Sequence, residues 1–201
     1  MPITYNINAN IVDIKSDTPK PTDFFFIDTN VWFWTSYSKA TGKTYQQIQY
    51  PNYIKSLLKN NSKIFYSEFS FSELSHQIEK TEFDIYSQIN TVTLKEFRHN
   101  HTKERNCVVN EIITAWIQIE NLGDPLSINN FSFDLSHISS IMKIAKLDSY
   151  DLFFLKQMQS NKITNIISDD GDFSTVPGIT MFTANNSVIT AAQQQQKLIV
   201  R

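Results

Sequence analysis

Two short apolar runs in this chain stop abruptly at acid. Phe24-Phe25-Phe26-Ile27 ends at Asp28-Thr29-Asn30, and the stretch from Ile163 to Ile167 ends at Ser168-Asp169-Asp170-Gly171-Asp172. A run that is apolar at successive positions, rather than alternating, is what a parallel strand covered on both faces looks like. In open α/β folds the carboxyl ends of such strands form the edge where ligands and chemistry sit.

The rest of the pattern alternates helix with strand. Helix starts after Asp28, breaks into a loop around Thr41-Gly42-Lys43, and resumes from Tyr53 to Leu58 before Asn60-Asn61. Ile64-Phe65-Tyr66 reads as a strand, and Ser67 as the N-cap of a helix that buries Phe71, Leu74 and Ile78 at helical spacing. Residues 94–120 read as helix with Val108, Ile112, Ala115, Trp116 and Ile119 on one face, ended by Gly123 and Pro125. Phe131 and Phe133 alternate with polar residues and suggest a strand. His137 to Ala145 and Asp151 to Met158 suggest helices, and Ile179 to Phe182 a last strand. Such alternation implies a parallel sheet with right-handed crossovers. Residues 1–22 are polar and proline-containing, so they read as an arm or an extended edge segment. The glutamine-rich stretch in 191–201 reads as a tail, helical or frayed.

Composition narrows the chemistry. A chain of 201 residues, 41% hydrophobic and 19% charged, suits one globular domain with embellishments. With only four glycines there is no glycine-rich phosphate loop, which argues against dinucleotide and P-loop chemistry. A single Cys107 can form neither an intramolecular disulfide nor a multi-cysteine zinc site. No secretory leader pattern stands at the N-terminus, and no run approaches the roughly 20 apolar residues of a membrane span. A cytoplasmic protein with no membrane partner is the expectation. The net charge of −2 does not mark a polyanion binder, so any nucleic-acid substrate must be argued from the site. The basic segment around Lys95 to Arg105 reads as a solvated helical face rather than a phosphate contact.

By position, Asp28, Glu73, Asp151 and Asp170 are the acids a parallel sheet would gather at its C-terminal edge. Gathered carboxylates repel and raise one another's pKa unless a cation neutralises them. Magnesium or manganese, which take hard oxygen ligands, are the natural cations. Each acid has a plainer alternative. Asp28 can cap a helix, Glu73 can answer a helix dipole, and Asp-Asp-Gly-Asp at 169–172 can be a turn. Asp148 competes with Asp151, because both precede the same apolar helix. The loop at 169–172 lacks EF-hand spacing, and Glu73-Leu74-Ser75-His76 is half of a di-iron motif without its second half. The histidines read as surface or hydrogen-bonded residues, and Trp32 and Trp34 as core rather than base-stacking platforms.

Taken in order, Asp28-Thr29-Asn30 after a strand, Glu73-Leu74, Asp151 heading an apolar helix, and Ser168-Asp169-Asp170-Gly171-Asp172-Phe173 followed by Gly178-Ile179 resemble the PIN-domain ribonucleases. The resemblance covers roughly residues 23–185. It implies a three-layer α/β/α fold on a central parallel sheet of about four or five strands, spanning 23–190 between the arm at 1–22 and the tail at 191–201. The gap between Glu73 and Asp151 is long for compact members, which implies an added helical insertion over 80–130. For the site it implies Asp28, Glu73, Asp151 and Asp170 as the catalytic quartet, with Asp28, Asp151, Asp170 and Asp172 as metal ligands. Asn30 and Ser168 would support the carboxylates, with Asp148 and Asp169 beside them. The implied activity is metal-dependent hydrolysis of RNA, with magnesium or manganese as cofactor. The resemblance leaves open a toxin role with an antitoxin partner, and a homodimer.

Other functions fit less well. A haloacid dehalogenase-like phosphatase needs Asp-x-Asp after its first strand, and Asn30 cannot act as the second acid. A DNA or structure-specific nuclease of related fold stays open, as does a catalytically inactive PIN-like scaffold, against which the retained acids argue.

Overall fold

The computed structural model describes residues 3–127 and 135–201. Strands β1 (Asn10–Asp13), β2 (Phe24–Ile27), β3 (Lys63–Tyr66), β4 (Asp124–Pro125), β5 (Asn165–Ile167), β6 (Thr180–Thr183) and β7 (Leu198–Ile199) form one sheet in the order β4-β3-β2-β5-β6-β1-β7. Every pairing is parallel. The apolar β2 lies at the third position, paired with β3 and β5, which is why it carries no polar face.

Its side chains alternate between two cores. Phe25 and Ile27 pack with the helices α1 (Thr29–Ser36), α2 (Thr44–Lys59), α3 (Ser70–Ser87), α4 (Leu94–Asn100) and α5 (Thr102–Leu122). Phe26 packs on the opposite face with α6 (Leu135–Ile144), α7 (Ser149–Ser160) and α8 (Asn186–Gln194). The expected three-layer α/β/α architecture follows from that division. Adjacent β2 residues point to opposite faces, so a continuous apolar run fills both cores at once.

The sheet is larger than the four or five strands expected, with seven among the described residues. The polar segment read as an arm supplies β1, which sits inside the sheet between β6 and β7 rather than at its edge. Ile11 and Val12 bury to opposite faces, a pattern too short to register as periodicity. The glutamine-rich end forms α8 and then β7. Arg201 follows, donating hydrogen bonds to Asp17 and Asp23 at 2.8–3.0 Å.

Other departures have local causes. α2 begins at Thr44, nine residues before the expected start at Tyr53, and carries Pro51 within it. Ser67 does not cap α3, since its hydroxyl accepts from Phe69 N–H at 3.1 Å in a turn before the helix begins at Ser70. Phe71 is exposed and rests edge-on against Trp116, leaving Leu74 and Ile78 as the buried stripe. The helix expected over 94–120 is two helices, broken at His101, with a Thr93–Glu96 capping box starting the first. Both α4 and α5 lie between Glu73 and Asp151 in the chain. The strand expected at Phe131 and Phe133 lies outside the described residues.

Candidate active site

Two strand ends make the floor of the site. Asp28 follows β2 and is the N-cap of α1; its backbone N–H donates to the Ile167 carbonyl at 3.1 Å, locking the ends of β2 and β5 together. One carboxylate oxygen accepts from Thr29 N–H at 2.7 Å and the other from the Ser168 hydroxyl at 2.5 Å. Capping and site membership are therefore not rivals for Asp28, because one oxygen serves each. Ser168 is fully buried, and its hydroxyl also accepts from Asp170 N–H at 2.9 Å. That bond sets the turn leading to Asp170, which caps the short 3-10 helix Gly171–Thr175 by accepting from Asp172 N–H.

Glu73 reaches the same edge from the first turn of α3. At the start of α7 the two competing acids divide the work. Asp148 is the N-cap, accepting from Tyr150 and Asp151 N–H at 2.9 and 3.1 Å, whereas Asp151 falls in the first turn.

These carboxylates are near enough to shift one another's titration. Burial pushes the Asp28 carboxyl well above the usual aspartate value, the Ser168 hydrogen bond partly offsets this, and Glu73 and Asp170 add repulsion. Asp151 is likewise raised by burial, then by Asp28, Asp148, Asp170 and Glu73. Glu73 is raised by burial, with the Thr29 hydroxyl opposing and Asp148 and Asp170 reinforcing. Asp172 is raised by burial and by Asp170 and Asp148. Asp28, Glu73, Asp151 and Asp170 thus share one field at the carboxyl edge of the sheet, with Asp172 at its margin.

Asp169 is the exception among the expected site residues. It turns away under α2, where it accepts from Tyr45 at 3.0 and 3.1 Å, Gln46 at 2.5 Å and Tyr50 at 2.6 Å. Its oxygens are occupied as structural acceptors, so it is not placed to support the acidic cluster. Asn30 stands beside the cluster on α1 with its buried amide oxygen unpartnered.

A single model for the PIN domain matches residues 25–179, well over half of the chain. The chain belongs to the PIN-domain family. That family has a nuclease-type fold and is generally metal-dependent. Searches of curated proteins and of solved structures find no match. No helix among the described residues is long and apolar enough to cross a membrane.

Whether this PIN domain suits a divalent cation can be judged from its donors. One Glu73 carboxylate oxygen and the Asn30 amide oxygen are buried without hydrogen-bond partners. Buried polar atoms are rarely left so, and two beside buried carboxylates mark a place that a further group can complete. Hard oxygen donors in a negative field fit magnesium or manganese. Among the described residues no three His, Cys, Asp or Glu side chains close to the spacing of a direct ligand set.

Two participants carry no sequence signal. Thr29 looks like an ordinary first residue of a helix. Tyr5 lies in the N-terminal segment, yet its ring covers Gly171 so closely that a Cβ there would fall within it. Burial and the nearby Asp170, Asp172 and Asp169 raise the Tyr5 hydroxyl's pKa. Only the path of residues 3–9 along the 3-10 helix, with Asn8 and Ala9 N–H donating to Ser174, brings Tyr5 to the site.

Proposed function

We propose that this PIN domain is a metal-dependent endoribonuclease that hydrolyses RNA phosphodiester bonds. Asp28, Asp151 and Asp170 hold magnesium or manganese directly or through water, and Asp172 adds charge at the margin. A cation bound there would supply charge stabilisation at the phosphoryl oxygens and an acidified water. Glu73, with its unpartnered oxygen, orients that water. Ser168 fixes the Asp28 carboxylate by hydrogen bond, and Asn30 adds a polar oxygen beside it. Hydroxyl and strand-end contacts set these positions before substrate arrives, so little reorganisation is needed on binding.

The observation that carries the reading is the burial of Asp28 against Glu73, Asp151 and Asp170, an arrangement whose repulsion a divalent cation removes. RNA as the substrate rests on the likeness of the ordered motifs to ribonucleases of the family. A toxin restrained by an antitoxin, a homodimer and a cytoplasmic location rest on that likeness alone.

The test is cleavage of single-stranded RNA and DNA by purified protein with manganese, alongside Asp28→Asn and Asp170→Asn. Both variants should lose cleavage while keeping the wild-type circular dichroism spectrum. Cleavage of DNA alone would move the reading to a DNA nuclease. No cleavage of either, with no divalent binding by calorimetry, would remove the enzymatic reading. Growth arrest on expression, relieved by Asp170→Asn, would support the toxin role.

A further inference from the structure

Beside the acidic cluster a trough runs between α1 and α3. It is lined by Asn30 and Trp34 from one helix and Gln77, Lys80, Thr81 and Asp84 from the other, and encloses about 370 Å³. Glu73, Gln77, Lys80 and Asp84 follow one another at intervals of three or four residues, so they share the face of α3 that starts at the acidic cluster, with Thr81 next to Lys80 on the trough wall. Asn30 belongs to both places, two residues after Asp28 and on the wall of the trough. The trough is therefore the continuation of the cluster along the helix pair.

Trp34 sits differently from its neighbour Trp32. Trp32 is fully buried in the core, whereas Trp34 is only partly buried and lines the trough. Its ring stacks on Tyr50 with centroids 5.4 Å apart and planes 25° from parallel. The indole N–H donates to the Thr41 carbonyl at 2.9 Å, and a Cβ on Gly42 would lie 2.7 Å from that nitrogen. The ring is thus held before any ligand arrives. Lys80, the one cation on the wall, is exposed and makes no ion pair among the described residues. Gln77 and Asp84 add hydrogen-bonding groups along the same wall.

An immobilised aromatic ring, an unpaired ammonium and amide and carboxylate groups in one trough are the parts that bind a nucleotide. A substrate whose phosphate lies at the acidic cluster must run its neighbouring nucleotides over adjacent surface. We propose that the α1–α3 trough is a nucleotide subsite flanking the scissile phosphate, in which Trp34 stacks on a base and Lys80 pairs with a backbone phosphate. The inference rests on the nuclease reading above, and it assigns Trp34 and Lys80 as determinants of where along a single strand the enzyme binds.

The experiment measures binding of a short fluorescent single-stranded RNA to the Asp170→Asn protein in magnesium, where cleavage does not interfere. An abasic unit is moved through the RNA one position at a time. One position should weaken binding about tenfold, the scale of lost base–aromatic stacking. Trp34→Leu should impose the same loss and make the abasic scan flat, while Trp34→Phe keeps affinity within about threefold and preserves the sensitive position. Lys80→Ala, on an exposed side chain that leaves the fold untouched, should weaken binding and lower the salt dependence by about one counterion.

Undiminished binding by Trp34→Leu, or a Trp34→Leu protein as sensitive to the abasic position as its parent, overturns the proposal. If Trp34→Leu does not fold, a flat abasic scan with the parent protein, or no effect of Lys80→Ala, overturns it equally. Wild-type cleavage with manganese is scored separately. Cleavage without Trp34 dependence removes the subsite and keeps the nuclease; Trp34-dependent binding without cleavage does the reverse.

Discussion

The Ser168 hydroxyl donates a 2.5 Å hydrogen bond to Asp28 across the ends of β5 and β2, joining two motifs 140 positions apart. The bond favours the charged carboxylate against the burial that opposes it. Ser168→Ala should therefore raise the Asp28 pKa further and shift the acid limb of the pH–rate profile upward. Loss of a hydrogen bond to a charged group should also cost about 1.5–3 kcal/mol, read by denaturant unfolding in manganese. An unchanged acid limb would show that Ser168 does not tune Asp28.

In metal-free protein the acidic cluster is a burden at neutral pH. Asp28, Glu73 and Asp151 have raised folded pKa values, so their contribution to stability is full below the ordinary carboxylate range and is lost as pH rises above it. Asp151→Asn should raise the melting temperature in chelator at pH 8, by about 2–4 °C for each kcal/mol of relieved repulsion. Manganese at about 100 times its dissociation constant should stabilise the wild type by about 2.7 kcal/mol and the variant much less. Calorimetric melting with and without metal checks both.

Asp169 should behave as a structural residue although it adjoins Asp170. It accepts hydrogen bonds from Tyr45, Gln46 and Tyr50, the last in the core beneath α2. Asp169→Ala should destabilise by about 2–4 kcal/mol, since it strands buried hydroxyls, yet leave the affinity of the folded protein for manganese unchanged. Asp170→Ala should give the opposite pair of results.

Glu79 sets a pH dependence of the other sign. It is buried on α3, accepts from Arg98 and lies 3.2 Å from Arg105, and these cations hold its carboxyl below the ordinary glutamate value. Its stabilisation is present above the unfolded glutamate pKa of 4.5 and is lost as pH falls through the folded value. Glu79→Gln should cost about 2 kcal/mol at pH 7, discounted for the exposed Arg98, and little once pH lies below the folded value. Urea unfolding across that range tests it.

The chemistry of the site was legible in the chain because parallel strands end where their apolar runs end. Phe24 to Ile27 and Ile166-Ile167 place Asp28 and Asp170 at the sheet edge from sequence alone, and helical spacing places Glu73 near the start of α3. Between Asp148 and Asp151 local pattern alone does not choose, since either can cap α7, and only the family resemblance favours Asp151 as the third acid. The cap takes Asp148 because its carboxylate reaches Tyr150 and Asp151 N–H, which leaves Asp151 to the cluster.

What the sequence determined by itself was the order of elements and the acidic edge, since both rest on local patterns of burial and turn chemistry. Tertiary structure decided the rest. Pairing placed β1 inside the sheet and added β4 and β7, strands of two to four residues too short to carry a period. Packing against Tyr50 and the loop at Thr41-Gly42 turned Trp34 from an apparent core residue into a wall of the trough beside the acids. Packing also brought Tyr5 over Gly171 and tied Asp169 beneath α2. Each of these contacts joins residues remote in the chain, and side chains so far apart are brought together only by the shared surface their elements bury.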